Sequence, residues 1–146
     1  MATRLSRKDG YTISFPSELF TTETMQKLER ILDSKGALIK KALHADRTTA
    51  LRNLETVDFP WFDRIPEVDE AKVYADFISR LCRMAREQRR VLERETVTDN
   101  EKYSFRCFLL RLGYIGAEHK KARRILLQNL EGSSAYRHLK EEESDD

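Results

Sequence analysis

The residues in this chain whose types and spacing could do chemistry are its arginines. Arg80, Arg83, Arg90 and Arg94, with Glu87 among them, fall three or four positions apart, and Arg86 and Arg89 widen the row. Residues so spaced share one face of an α-helix. A second group lies in HKKARR: Lys120, Lys121, Arg123 and Arg124. If the two helices are antiparallel neighbours, their cationic faces merge into a patch that holds phosphate groups or an acidic protein surface. The candidate binding residues are therefore Arg80, Arg83, Arg86, Arg90, Lys120, Lys121, Arg123 and Arg124. The alternative is that these long side chains only solvate the outer faces of amphipathic helices. Glu87 and Glu93 offer them ion-pair partners, and the aromatic residues all fall on the apolar side, away from any base they could stack on.

Other chemistries find less material. Cys82 and Cys107 sit inside apolar helical patterns, which suits reduced, buried thiols rather than a disulfide framework. A nucleophilic cysteine needs an adjacent base. His119 beside Cys107 is the arrangement an enzyme would use, and burial in FRCFLL argues against it. His44, His119 and His138 are far apart and pair with no cysteine at ligand spacing, so no metal is expected. There is no glycine-rich phosphate loop and no G-x-S-x-G, so neither a cofactor nor catalysis is expected.

The charge balance supports a local rather than a global signal. The whole chain carries a formal charge of +2. Between Arg80 and Arg124, thirteen Lys or Arg face six Asp or Glu, a difference of +7. The last residues, EEESDD, form an acidic tail, read as disordered from 136 to 146. No apolar run is long enough for a membrane span, and MATRLSRKDG has no apolar stretch of a signal peptide, so a cytoplasmic location is expected.

These residues need elements to position them. With 146 residues, 40% hydrophobic, 36% charged, 5 Gly and 3 Pro, the composition suits one helix-rich domain. Residues 1–10 read as disordered. YTISF (11–15) alternates and stops at Pro16, as a short edge strand does. TTETMQKLERILDSKG reads as a helix capped by Thr21 or Thr22 and closed by Gly36, and GALIKKALHAD as a second short helix with Lys35, Lys40 and Lys41 outward. TTALRNLETVDFPWF reads as two strands turning near Asn53, with Trp61 and Phe62 sealing the sheet against the helices. After Pro66 come a long helix with Asp69 and Glu70 at its start, a central helix capped by Thr98 or Asp99, and a last helix AEHKKARRILLQNLEG. The central one is apolar nearly all round, with Arg106 and Arg111 as its polar strip. One of the two is expected to bridge to Glu101, Glu118 or an acid of the N-terminal lobe; an anion site is the other reading.

The fold expected is α+β: a small N-terminal antiparallel sheet with two short helices, followed by a three-helix bundle. It forms one domain over 11–135, divided into a sheet-containing lobe (11–65) and a helical part (66–132).

LDSKGALIKKALHAD (32–46), DFPWF (58–62) and DNEKYSFRCFLLRLGYIGAEHKKARRILLQNLEGSSA (99–135) resemble small proteins encoded on phages and integrative elements of Firmicutes, usually labelled virulence-related. The resemblance runs from Tyr11 to Ala135, with FRCFLLRLG and GSSA its most specific segments. It implies an accessory protein acting on host machinery, and carries no activity or ligand residues with it. The function expected is a non-catalytic protein that binds nucleic acid or a nucleoprotein complex through its Arg/Lys-rich helical face. The alternative is a protein-interaction module, homodimeric or bound to a host protein, with no nucleic-acid contact.

Overall fold

The computed structural model describes residues 2–5, 10–87 and 100–132, the first of these by backbone only. The chain runs β1 (Ala2–Leu5), β2 (Tyr11–Pro16), α1 (Thr22–Leu43), β3 (Leu51–Arg52), β4 (Thr56–Phe62), α2 (Val68–Glu87), α3 (Glu101–Arg111) and α4 (Lys120–Leu127). The fold is α+β, with an antiparallel sheet of order β1-β2-β4-β3 against the helices. One apolar cluster joins Ile13, Val57, Phe59 and Trp61 of the sheet to buried residues of all four helices.

The period-two pattern places β2 and β4 as expected, and Asn53 makes the turn between β3 and β4. Its Oδ1 accepts from the backbone N–H groups of Glu55 and Thr56 at 3.0 and 2.8 Å, the side-chain substitution for backbone that favours Asn in turns. Between Phe59 and Phe62, β4 carries one extra residue relative to β2, in the Pro60–Trp61 stretch. This bulge lets two consecutive aromatic residues turn inward. Trp61 donates to the Thr49 carbonyl at 2.8 Å, while Phe62 stacks on Tyr74 of α2 with ring centroids 5.4 Å apart.

Several expectations need correction. Ala2–Leu5, read as disordered, pairs with β2 in the register Ala2↔Ser14 to Leu5↔Tyr11, which makes the sheet four-stranded. Gly36 does not divide α1. Met25, Leu28, Leu32, Ile39 and Leu43 stay in one helical phase across it, so continuous burial outweighs the roughly 1 kcal/mol that glycine costs a helix. The true stop is His44, in left-handed geometry at φ 55°, whose N–H reaches the Lys40 and Lys41 carbonyls. Lys35 is half-buried over the Phe108 ring rather than outward, and burial together with neighbouring Arg111 lowers its pKa. Asn100, not Thr98 or Asp99, caps α3, its side chain accepting from Tyr103 N–H.

The helices also divide differently. α1 packs chiefly on α2, so the helical layer includes an element assigned from sequence to the sheet lobe. α3 spans only 11 residues and α4 only 8. The acidic tail at 136–146 lies outside the described residues. Among the described residues, no helix is long and apolar enough to cross a membrane.

Gly36 offers the first test. A Cβ there would meet Thr48 Oγ1 at 3.4 Å, ordinary contact with a rotatable hydroxyl. Gly36→Ala should therefore stabilise the fold by about 0.5–1 kcal/mol and raise the melting temperature by about 2 °C. A lower melting temperature would show that the 45–50 segment cannot yield.

Candidate functional site

The eight sequence-chosen cations do not share one role. Arg80 is internal. Its side chain is only 16% exposed, and its Nε donates to Asp76 Oδ2 at 2.8 Å. Nη1 donates to the Leu112 carbonyl at 3.1 Å, and the guanidinium lies 4.3 Å from the Tyr114 ring centre. Tyr114, fully buried, donates its hydroxyl to the same Asp76 oxygen at 2.8 Å. Burial, then the Asp76 hydrogen bond, drives the Tyr114 pKa well above its usual value. Arg80, Asp76 and Tyr114 thus tie α2 to the turn that leaves α3.

Gly113 makes that turn possible. Its φ is 100°, a conformation that L side chains rarely adopt, and a Cβ would fall 2.9 Å from Arg80 Nη1. The guanidinium occupies the space a side chain would need.

Arg123, half-buried, is likewise engaged within the fold: its Nη1 donates to the carbonyls of Tyr114 and Gly116, each at 3.0 Å. Lys121 reaches Asp69 Oδ2 at 3.3 Å across from the first turn of α2. That pair is 62% exposed on both sides and contributes little to stability, but it locates α4. Arg83 and Arg86 lie 14 and 17 residues beyond Asp69, which is about 21 and 26 Å along a helix axis. The Lys121–Asp69 pair thus sets the start of α4 beside the first turn of α2, while Arg83 and Arg86 lie toward its other end. Arg83, Arg86, Lys120 and Arg124 are exposed, and among the described residues none of them forms an ion pair. Arg90 lies outside the described residues, as do Arg89 and Arg94.

The pair inside α3 is also resolved. Arg106 is half-buried and Arg111 exposed, the latter 6.0 Å from the Phe108 ring centre. Neither bridges to a carboxylate among the described residues. Glu101 is taken by Lys41 at 2.9 Å and Glu118 by His119 at 3.5 Å.

Both cysteines are free thiols. Cys82 is buried, and burial pushes its pKa up to about 12. Cys107, expected to be buried, is partly exposed. His119 stands edge-on to Tyr114. Among the described residues, no three His, Cys, Asp or Glu side chains are grouped to hold a metal ion.

Sequence reasoning missed a cavity of about 240 Å³ between the C-terminus of α1, the loop after β4 and the first turns of α2. Leu43, Phe62, Ile65 and Pro66 give it apolar walls; Asp46, Glu67, Glu70, Arg64 and His44 give it charged or titratable ones. Tyr74, also lining it, is 2% exposed. Burial and the Glu70 carboxylate beside it push the Tyr74 pKa up to about 12. The signal was present as Glu67, Glu70 and Tyr74 at helical spacing, but Glu70 reads as a helix-start acid and Tyr74 as core.

Compared with protein-family models, curated proteins and solved structures, the chain matches none.

Proposed function

We propose that this chain is a non-catalytic binding protein, the accessory of a mobile element suggested by its segments, and that it docks on nucleic acid or a nucleoprotein complex. The contact narrows from the eight sequence-chosen residues to the second half of α2. The observation that carries the reading is that Arg83 and Arg86 are exposed and form no ion pair among the described residues, one turn beyond an arginine committed to the core. The chain continues from there with Arg89, Arg90 and Arg94.

Magnitudes set what this contact can do. Each neutralised phosphate contributes about 0.9 to the log–log salt slope, so Arg83 and Arg86 alone give about −1.8. That is roughly a twelvefold loss of affinity between 50 and 200 mM salt. A steeper slope would assign the remainder to Arg89, Arg90 and Arg94. In gel shift, Arg83→Glu with Arg86→Glu should abolish binding to duplex or single-stranded probes. Lys120→Glu with Arg124→Glu should leave it within about twofold. Loss only in the second pair, or no binding by the wild-type chain at low salt, would refute the reading.

A protein-interaction module is the second reading, favoured by Leu51 and Leu54, 51% and 98% exposed on the hairpin at the sheet edge. Light scattering showing a stable dimer that Leu54→Ser dissolves would select it.

A further inference from the structure

The cavity beside the end of α1 is lined by a nearly buried phenol whose hydroxyl is not spent on another described residue. Tyr74 is 98% buried as a residue (2% exposed), yet among the described residues its hydroxyl has no hydrogen-bond partner. No fully buried side-chain oxygen among the described residues is left unsatisfied, so this hydroxyl is reached from the cavity that Tyr74 lines. A buried phenol normally finds a partner. Among the described residues it finds none, which leaves the hydroxyl available to a ligand in the cavity.

The walls say what kind of partner. Carboxylates outnumber guanidinium groups: Asp46, Glu67 and Glu70 against Arg64. Asp46 already accepts the Asp63 N–H at 2.7 Å, and Glu70 makes a long contact of 3.4 Å with Gln128, which leaves most acceptor positions of Glu67 and Glu70 open. Opposite them stand the apolar surfaces of Leu43, Phe62 and Ile65. The volume, about 240 Å³, lies below the range of drug-sized sites and matches a short chain with a head group.

The geometry points to a binding site for an organic cation, an alkylammonium or alkylguanidinium group, whose head lies between Glu70 and the Tyr74 hydroxyl and whose aliphatic stem runs along Phe62 and Ile65. This site is independent of the arginines of α2 and stands whether or not the chain binds nucleic acid. The same head and stem occur in free diamines and in the lysine or arginine side chain of a protein.

The full chain is titrated with cadaverine, with agmatine and with a blocked Gly-Lys-Gly peptide, followed by calorimetry and by backbone amide shifts. Saturable binding is expected, with shifts centred on His44, Ile65, Glu70 and Tyr74. Glu70→Gln should weaken it about tenfold or more, since a charge-assisted contact is lost. Tyr74→Phe should weaken it at least about threefold, while the melting temperature stays unchanged because the hydroxyl has no partner among the described residues. Arg64→Ala should tighten binding, an improvement that a merely structural role would not give. Binding by the free amines but not the peptide identifies a small metabolite-like cation; peptide binding as tight or tighter identifies a side chain presented by a protein. No saturation by any of the three probes, equal binding of uncharged 1-pentanol, or affinity unchanged in Glu70→Gln would each overturn the proposal.

Discussion

Arg80→Ala is expected to lower stability by about 2–4 kcal/mol, whereas Arg83→Ala, three positions along the same stripe, should change it by less than about 0.5 kcal/mol. The difference follows from what each guanidinium touches. Arg80 loses a hydrogen bond to the Leu112 carbonyl, its pair with Asp76 and its contact with the Tyr114 ring. A charged donor on a carbonyl is worth about 1.5–3 kcal/mol, and a desolvated cation–π contact about 1–2 kcal/mol. Asp76 is 49% exposed, so the ion pair itself is screened and adds no more than about 0.5 kcal/mol. Urea denaturation of the two variants measures the contrast. Equal losses would mean that Arg80 is as superficial as its neighbour. The result also governs how binding experiments are built, because reversing Arg80 would remove function by unfolding the chain.

The second large effect is alkaline. Tyr74 and Tyr114 titrate above the usual 10.0 and Cys82 above 9.0, in each case because burial opposes the charged form. The folded chain therefore holds these protons at pH values where the unfolded chain has released them. A raised folded pKa gives stability that is complete below the unfolded value and is lost as pH climbs. The loss begins near pH 9 with the thiol and steepens above 10, where each group can contribute up to about 1.36 kcal/mol per pH unit. Lys35, whose pKa is lowered, acts in the opposite sense and offsets part of it. Between pH 9 and 11 the net loss should be on the order of 4 kcal/mol, a large part of a domain's stability. Urea midpoints at pH 7, 9, 10 and 11 test this. Cys82→Ala should remove the portion that begins near pH 9 and keep the steeper part. A flat profile to pH 11 would contradict the burial assigned to all three groups.

Local pattern carried the inner strands and the start of α1. YTISF, the turn at Asn53 and the Thr21 cap each depend on residues within a few positions of one another. Gly36 was misread because a glycine is a local signal, while the apolar phase that overrides it spans all of α1. β1 was missed because ATRL has no alternation to set against its polar surroundings; only pairing with β2 makes it a strand. The basic face was legible as spacing but not as use. Asp76, four positions before Arg80, could have flagged one internal pair. The Leu112 carbonyl, the Tyr114 ring and the Lys121–Asp69 pair come from 32 to 52 residues away, and no helical periodicity foretells them. The cavity escaped for the same reason: its walls come from α1, the loop after β4 and α2, which meet only in the fold.

Amide shift mapping of the full chain with a short DNA duplex at 50 mM salt puts the placement of the contact to its most direct test. The expected result is perturbation concentrated at Arg83, Arg86 and Glu87, with Lys120 to Arg124 unmoved. Perturbation spread evenly over both segments, or confined to α4, would contradict the separation of the two basic groups and with it the site assigned to α2.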